Sequence, residues 1–389
     1  MGKLYSIIIA HYNQPLFWRE AIDSVLCQDY ADIELIFADD GSKNFDEKEV
    51  EAYINEHKSA NIKNTIVIAS KRNLGTVKNI NNAISASNGE YLQFFAADDA
   101  LFKNDIITKN VIALEAAEKD VMAVTSMAKK YDENMDKCLG QAFEAALGFR
   151  RNKMTASELH DEILVGCVYV ASTCCYKKEL FGALGLFDER YRLIEDAPYW
   201  LKMTKNGYKI KYCNYCSVKY RMGGMSHPVS GIASKTRIEY QGEEVIFLTR
   251  DLVPELKDLP IDKQIKGVTI YHYSRDIYCK MAPDKMLGLQ DEDLLREVPE
   301  LEKKSKLKKL DVKVNEWLIN AKKALPMLVI IWLCTAVCFV LTLMLRLFWA
   351  AIITKIFYEI LPVAIIAIAI GIIVLYLIKS IIKRKGVEN

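Results

Sequence analysis

The amino-terminal part of the chain alternates short apolar runs with helix-like segments, and this alternation limits the folds that it can adopt. Apolar runs at 5–10, 33–38 and 65–69 are rich in β-branched residues and predict strands. Apolar residues at helical spacing predict helices at 17–27 and 77–87. Strands and helices in this order form βαβ units, so the sequence predicts a parallel sheet covered by helices.

A fourth apolar run, at 89–100, ends on two adjacent carboxylates, Asp98 and Asp99. The run is typical of a strand that is buried on both faces of a parallel sheet. Open α/β sheets bind ligands at the carboxyl ends of their strands, where these two side chains would lie. Adjacent carboxylates repel each other unless a cation or hydrogen-bond donors compensate, and a hard divalent metal ion prefers such oxygens. The alternative is an Asp-Asp turn that caps the next helix.

Charge and motif content exclude several function classes. The chain has 389 residues, 52 of them basic and 50 acidic, so a net charge of +2 gives no general attraction to nucleic acid. The first predicted strand is followed neither by a Gly-x-Gly-x-x-Gly motif nor by a P-loop, which argues against a dehydrogenase or an ATPase. The ten cysteines form no disulfide-like pattern and no secretory leader is apparent, so we expect a reducing, cytosolic location. Cys213 and Cys216 form a lone Cys-x-x-Cys pair without a second pair at zinc spacing, and we expect strand cysteines there.

Two uncharged segments near the carboxyl end predict a membrane hairpin. Residues 325–345 and 360–378 contain no charged side chain, and at about 1.5 Å per residue each can cross a hydrocarbon core of roughly 30 Å. Buried core helices are the less favoured alternative, because the two segments stand together after a long polar chain. Six basic residues flank the pair on the outside and two lie between them, which predicts that both ends are cytosolic. The basic run at 303–309 is either a solvated helix face or a contact with anionic lipid.

Six short motifs occur in an order and spacing that resembles glycosyltransferase family 2, whose members have the nucleotide-sugar-binding GT-A fold. The resemblance spans roughly residues 4–230 and implies an α/β fold with a mixed, mostly parallel sheet flanked by helices. The motifs are 6–13 (SIIIAHYN), 38–42 (ADDGS), 73–75 (NLG), 89–91 (GEY), 97–99 (ADD) and 195–196 (ED).

The resemblance implies a donor site at the ends of the predicted strands. Ala10 and Tyr12 would line a uracil pocket, to which Tyr12 offers a flat apolar face. Asp39 would accept a hydrogen bond from the imide of the base, and the alternative is an ordinary turn before Gly41. Arg72 lies at the position of a basic residue near the base or the phosphates.

The resemblance also implies a divalent metal ion, Mg²⁺ or Mn²⁺, that bridges the phosphates and stabilises the charge on the leaving nucleoside diphosphate. Asp98 would bind the ribose or the metal ion, and Asp99 would bind the metal ion. Family members often carry a further acidic residue at the position of Ala96, which this chain lacks. His227 would be the remaining metal ligand, and a surface histidine is the alternative.

By the same resemblance, Asp196 would be the general base that deprotonates the acceptor hydroxyl. Burial or the neighbouring Glu195 would raise its pKa from the usual value of about 3.9. A helix cap at these positions is compatible with that role. Arg221 precedes a Gly-rich segment and would clamp phosphates. Trp200 is expected in the core, with an acceptor-sugar platform as the alternative.

Together these features predict a membrane-tethered, inverting glycosyltransferase of the kind that builds bacterial polysaccharides. It would move a hexose from a nucleotide-diphosphate donor, by resemblance a UDP-sugar, to a glycan or lipid-linked acceptor at the cytosolic face of a bacterial cell membrane. The expected parts are a GT-A domain at 1–230, a helical and basic juxtamembrane segment at 231–323, and two transmembrane helices with a basic tail at 324–389. A non-catalytic nucleotide-sugar-binding or scaffold protein of the same fold is the alternative, supported by Ala96. A nucleotidyltransferase is less consistent, because residues 11–15 form no Gly-rich basic loop.

Overall fold

The computed structural model describes residues 2–142, 145–166, 169–223, 235–282, 365–377 and 379. The chain divides into two units, Met1–Lys304 and Ser305–Asn389. The strands of the first unit are β1 (Tyr5–His11), β2 (Ile33–Asp39), β3 (Ile62–Ala69), β4 (Tyr91–Ala96), β5 (Ala100–Leu101), β6 (Val121–Tyr131), β7 (Cys138–Gln141), β8 (Cys175–Lys177) and β9 (Lys209–Arg221). Its helices are α1 (Trp18–Leu26), α2 (Glu47–His57), α3 (Thr76–Ala86), α4 (Ile106–Glu115), α5 (Ala145–Arg151), α6 (Ala156–Leu164), α7 (Glu179–Leu184), α8 (Asp196–Lys205), α9 (Lys235–Phe247) and α10 (Ile261–Met281).

The described strands form one sheet in the order β3-β2-β1-β4-β8-β6-β9-β5, with β7 paired to β6. Strands β1 to β4 pair in parallel, as the βαβ pattern predicts. Strand β8 runs antiparallel to both of its neighbours, β4 and β6, while β6 and β9 are parallel. The predicted α/β fold with a mixed sheet is therefore confirmed. Strands β6 and β9 run in the same direction as β1 to β4, and of the described strands β5, β7 and β8 run against them.

Both faces of the sheet are covered at β1, which explains the uninterrupted apolar run of this strand. In β1, the side chain of Ile8 belongs to one hydrophobic cluster, while Ile7 and Ile9 belong to the cluster on the other face. The first cluster includes Trp200 of α8, which is fully buried and donates its indole N–H to the Tyr176 hydroxyl at 2.9 Å. The core position expected for Trp200 is thus confirmed.

The turn before β4 is held by a buried carboxylate. Glu34 on β2 accepts hydrogen bonds from the Ser6 hydroxyl and from the backbone and side-chain N–H groups of Asn88. Burial alone would raise the pKa of Glu34, but the hydrogen bonds from Asn88 and Ser6 outweigh it and hold the pKa below its usual range. A Cβ on Gly89 would lie 2.5 Å from the Ser6 nitrogen, so this turn needs glycine. These contacts fix where β4 starts and hence where it ends.

After β9 and the segment that follows it, α9 continues into a π-helical turn at Leu248–Leu252 and a 3₁₀ helix at Val253–Asp258, which leads to α10. Helices α9 and α10 lie within the segment 231–323, for which the sequence predicts helices. The apolar side chains of α9, among them Val245 and Phe247, belong to the same cluster as Trp200. Helix α9 is therefore part of the folded body of the first unit.

The predicted membrane segments fall largely outside the described residues. Segment 325–345 lies wholly outside them, and of segment 360–378 residues 365–377 are described, as a helix. Within the described ranges, no helix is both long enough and apolar enough to cross a membrane. The membrane hairpin stays a prediction.

Candidate functional site

The carboxyl ends of β1, β2 and β4 meet at one edge of the sheet. His11 of β1 is opposite Asp39 of β2, and Ala10 of β1 is opposite Ala96 of β4. The backbone remains paired just beyond the strands, because the Ala97 N–H donates to the Ala10 carbonyl at 2.8 Å. This register brings the loops that follow the three strands together, as the sequence predicts.

Both oxygens of the Asp39 carboxylate take part in hydrogen bonds with residues at this edge. Oδ1 lies 2.7 Å from Nδ1 of His11 and accepts the Ser42 hydroxyl at 2.5 Å. Oδ2 accepts the backbone N–H groups of Gly41 at 3.0 Å and Ser42 at 2.9 Å. Burial alone would raise the pKa of Asp39, but the hydrogen bonds from His11 and Ser42 outweigh it and hold the pKa below its usual range. Asp39 is 1% exposed, so a bond to a nucleobase would require one of these donors to give way.

The adjacent carboxylate, Asp40, faces the other way and holds the turn after β3. It accepts the backbone N–H groups of Leu74 at 2.6 Å and Gly75 at 2.8 Å. Gly41 has a φ of +73°, and a Cβ there would lie 2.3 Å from the Arg72 carbonyl carbon. The two turns therefore pack backbone to backbone, which only glycine permits.

Three residues that the sequence predicts for the donor site are accessible at this edge. Tyr12 is 43% exposed, directly after β1. Arg72 is exposed on the turn that packs against Gly41, and Ala10 is half-buried at the end of β1. The structure thus brings Ala10, Tyr12 and Arg72 to the edge where Asp39 lies.

Asp98 and Asp99 follow β4 at the same edge. Asp99 is 4% exposed and its Oδ1 accepts the backbone N–H of Arg221, the last residue of β9, at 2.9 Å. Asp98 is half-buried and its Oδ2 lies 3.4 Å from the amide nitrogen of Gln14. Burial and the neighbouring Asp98 raise the pKa of Asp99 well above its usual range. Burial also raises the pKa of Asp98, against the opposing effects of Arg221 and His11.

The Arg221 side chain supports the turn that carries Asp98 and Asp99. Its guanidinium donates to the carbonyls of Asp98, at 2.7 Å, and of Glu133. It also pairs with Glu20 of α1 at 2.5 Å and lies 3.9 Å from the centre of the Phe17 ring. With 4% of its surface exposed, Arg221 is a support for the turn in this arrangement, and the predicted phosphate clamp stays a prediction that these contacts do not favour.

Glu195 and Asp196 lie where a loop ends and α8 begins. The N–H of Ala197 donates to Asp196 Oδ1 at 2.7 Å. Burial, with a smaller contribution from Glu244, raises the pKa of Asp196 to about 6. Burial and the charge of Asp196 raise the pKa of Glu195 to about 8. Burial thus raises the pKa of both carboxyl groups, so the pair can hold a proton near neutral pH.

The loop that carries this pair is fastened to the donor-side turn. The carbonyl of Arg192 accepts the N–H of Val77 at the start of α3 at 3.1 Å, and its guanidinium donates to the Asn73 side chain. Arg192 also lowers the pKa of Asp40, in part offsetting its burial. These links join the two carboxylate regions through one arginine. The sequence motifs do not single out Arg192 or His11, whose roles depend on strand register and loop packing.

Two further observations concern possible metal ligands and a cleft outside the site. His227 lies outside the described residues, and within those residues no three His, Cys, Asp or Glu side chains form a metal-binding group. A cleft of about 690 Å³ lies at the opposite, amino edge of the sheet, near Lys3, Tyr91, Glu115 and Lys178. The predicted site residues lie away from this cleft, at the carboxyl edge.

Comparisons with known proteins agree with the motifs. The family described as "Glycosyl transferase family 2" matches residues 6–175. An uncharacterized glycosyltransferase of Rickettsia typhi is 28% identical over 204 residues, which cover 52% of this chain and 59% of that protein. One of Methanocaldococcus jannaschii is 26% identical over 239 residues, which cover 61% of this chain and 77% of that protein.

Among solved structures, S. aureus TarS in complex with UDP-GlcNAc is 18% identical with a TM-score of 0.47, and the match covers 74% of this chain and 76% of that one. The family match and the two relatives agree with the order and spacing of the six sequence motifs. Residues 6–175 of this chain therefore resemble a glycosyltransferase family 2 domain.

Proposed function

We propose that the protein is an inverting glycosyltransferase of the GT-A fold, which transfers a hexose from a nucleoside-diphosphate donor to an acceptor hydroxyl. The observation that carries this proposal is the pair at the start of α8, where Asp196 is a carboxylate whose pKa is raised to about 6. Such a carboxylate can accept a proton near neutral pH, which a general base requires. The family 2 domain supplies the reaction class.

The donor would bind at the ends of β1, β2 and β4. Tyr12 offers an exposed ring to a uracil base beside Ala10, and Arg72 offers a cation to the base or phosphates. Asp39 supports this pocket by holding His11 and the turn at Gly41. In this arrangement Asp39 would act on the uracil base only through the residues that it holds. A UDP-sugar is the donor that this pocket would fit.

Asp98 and Asp99 fit a hard divalent cation such as Mg²⁺ or Mn²⁺. Burial raises the pKa of both groups and the charge of Asp98 adds to the shift at Asp99, and a cation would offset both effects. Mg²⁺ commonly binds through one or two carboxylates together with substrate phosphates. When bound, the cation would stabilise the charge on the leaving diphosphate. His227 remains a proposed third ligand, and Arg221 holds the turn on which both carboxylates lie.

The transfer itself is a single displacement. The acceptor oxygen bonds to the anomeric carbon on the face opposite the diphosphate, its proton passes to Asp196, and the bond to the diphosphate oxygen breaks. The electron pair of that bond leaves with the nucleoside diphosphate, and the anomeric configuration inverts. Burial and the charge of Asp196 raise the pKa of Glu195 to about 8, so the pair retains a proton near neutral pH. One experiment tests the reaction class: release of nucleoside diphosphate from a panel of nucleotide sugars, with Mg²⁺ or Mn²⁺.

Asp196→Asn should retain nucleotide binding but lose transfer by about 10²–10⁴-fold, because an amide cannot accept the acceptor's proton. The amide oxygen still accepts the Ala197 N–H, so α8 should begin normally. In the unmutated enzyme, transfer should fall as pH drops through about 6, because Asp196 then becomes protonated. Turnover and nucleotide affinity are measured in parallel, with Glu189→Gln on the same loop as the matched control. Near-normal turnover of Asp196→Asn would contradict the assignment of the base.

Asp99→Asn should lower Mn²⁺ affinity by at least about tenfold and remove most metal-dependent transfer, because a carboxylate ligand is lost with little change in volume. Calorimetric titration with Mn²⁺ measures the first effect without requiring activity. Asp105→Asn, an exposed aspartate paired with Lys109, is the control and should match the unmutated protein. Equal Mn²⁺ affinity in both variants would exclude Asp99 as a ligand.

We also propose that residues 324–389 tether the enzyme to a bacterial cell membrane as a two-helix hairpin, with the catalytic domain cytosolic and the acceptor a glycan or lipid-linked saccharide. The support is the two uncharged segments and the basic residues on their outer flanks. A cysteine introduced at Thr354, between the segments, should react with an impermeant thiol reagent only from outside the cell. The exposed Cys27 and Cys138 should react only from the cytosolic side. Labelling of all three from the cytosol would mean that the segments do not span.

A further inference from the structure

The loop before Asp196 is held from two directions. On one side, the N–H of Val77 at the start of α3 donates to the Arg192 carbonyl at 3.1 Å. A Cβ on Gly75 would lie 2.6 Å from that carbonyl oxygen, so the loop and the turn are in direct contact. These contacts fix the loop relative to the donor side of the site.

On the other side, α9 supplies a carboxylate. Oε2 of Glu243 accepts the backbone N–H of Arg192 at 2.9 Å and that of Leu193 at 2.7 Å. A carboxylate that accepts two adjacent N–H groups makes charge-assisted hydrogen bonds, which are stronger than those between neutral groups. Glu243 is half-buried, so water competes only in part for these donors. The contact spans 50 residues of sequence between Leu193 and Glu243.

Helix α9 also forms part of the environment of the base. Asp196 is faced by Glu195 from its own loop and by Tyr240 and Glu244 from α9. It also acts electrostatically on Cys174 and Tyr176 at β8. Helix α9 therefore lies beside Asp196, the proposed base. The same helix also anchors the loop, three residues before the Glu195–Asp196 pair at the start of α8.

We propose that Glu243 is a positioning residue for the transfer reaction, because it fixes the backbone of the loop that carries Asp196. This inference rests on the proposed function for the identity of the base. Glu243 itself contacts the backbone and not the reacting atoms. Its loss should free the loop, admit water to Asp196 and misplace the carboxylate relative to the acceptor hydroxyl.

The test compares three variants of the full chain. Glu243→Ala removes both hydrogen bonds, whereas Glu243→Gln keeps one oxygen that can accept them. Glu239→Ala is the matched control, since Glu239 lies one helical turn away and pairs with the Arg192 guanidinium at 3.2 Å without holding the loop backbone. Hydrogen exchange over residues 190–196 reports the anchoring, and kcat, donor KM and the pH profile report its effect on transfer.

Glu243→Ala should exchange faster over 190–196, lose about 10–100-fold in kcat and change donor KM little, as expected when a supporting hydrogen bond is removed. The midpoint of its acidic limb should move from about 6 towards the usual aspartate value of about 3.9, because desolvation of Asp196 is reduced. Glu243→Gln should recover most of the rate, and Glu239→Ala should match the unmutated enzyme.

Unchanged exchange over 190–196 in Glu243→Ala would overturn the inference, as would faster exchange with the same kcat and the same acidic midpoint. A loss of folded protein alone would lower the active fraction without moving that midpoint, and thermal unfolding of each variant measures it. Failure of the unmutated enzyme to transfer any sugar would contradict the proposed function instead. In that event, hydrogen exchange would still decide whether Glu243 anchors the loop.

Discussion

The contact on which the site most depends is the one between the Asp40 carboxylate and the backbone N–H groups of Leu74 and Gly75. It joins the turn after β2 to the turn after β3, at the start of α3. Arg192 then packs against that second turn and carries the connection to the loop before α8. Elements that are far apart in sequence thus share one rigid support. Without it, the proposed donor pocket and the proposed general base would be placed independently of each other.

The sequence motifs contain three pairs of adjacent acidic residues, and the surroundings of each pair affect its pKa values differently. In the first pair, hydrogen bonds lower the pKa of Asp39 while burial raises that of Asp40. Burial raises the pKa of both members of the Asp98–Asp99 pair, which we propose as metal ligands. Burial also raises the pKa of both members of the third pair, so this pair can take up a proton near neutral pH. Similar residues therefore serve as structural support, as candidate metal ligands and as a candidate base.

Much of the fold follows from the sequence because it rests on local patterns. The apolar runs predict β1, β2 and β4, and the helical spacing predicts α1 and α3 to within one or two residues at most ends. Strands β2 and β4 end near their carboxylate pairs, as the motifs indicate. The reversal at β8 is not predictable in this way, because it depends on how residues 101–175 return to the sheet.

The details of the site depend on tertiary contacts and could not be predicted. No local sequence pattern predicts the hydrogen bond between His11 and the Asp39 carboxylate. None predicts that Arg221 is buried between Phe17 and Glu20. The role of Glu243 requires α9 to fold back onto a loop 50 residues earlier. Sequence motifs therefore identify which residues gather at the carboxyl edge, while packing decides which of them remain accessible to a ligand.

The central claim is that this carboxyl edge is where the donor binds. The most direct measurement is an experimental structure of the protein with UDP and Mn²⁺, with the metal located by its anomalous scattering. We predict that Mn²⁺ lies on the carboxylates of Asp98 and Asp99, with the uracil ring against Tyr12. A nucleotide bound elsewhere, such as in the cleft beside Lys3 and Lys178 at the amino edge, would contradict it.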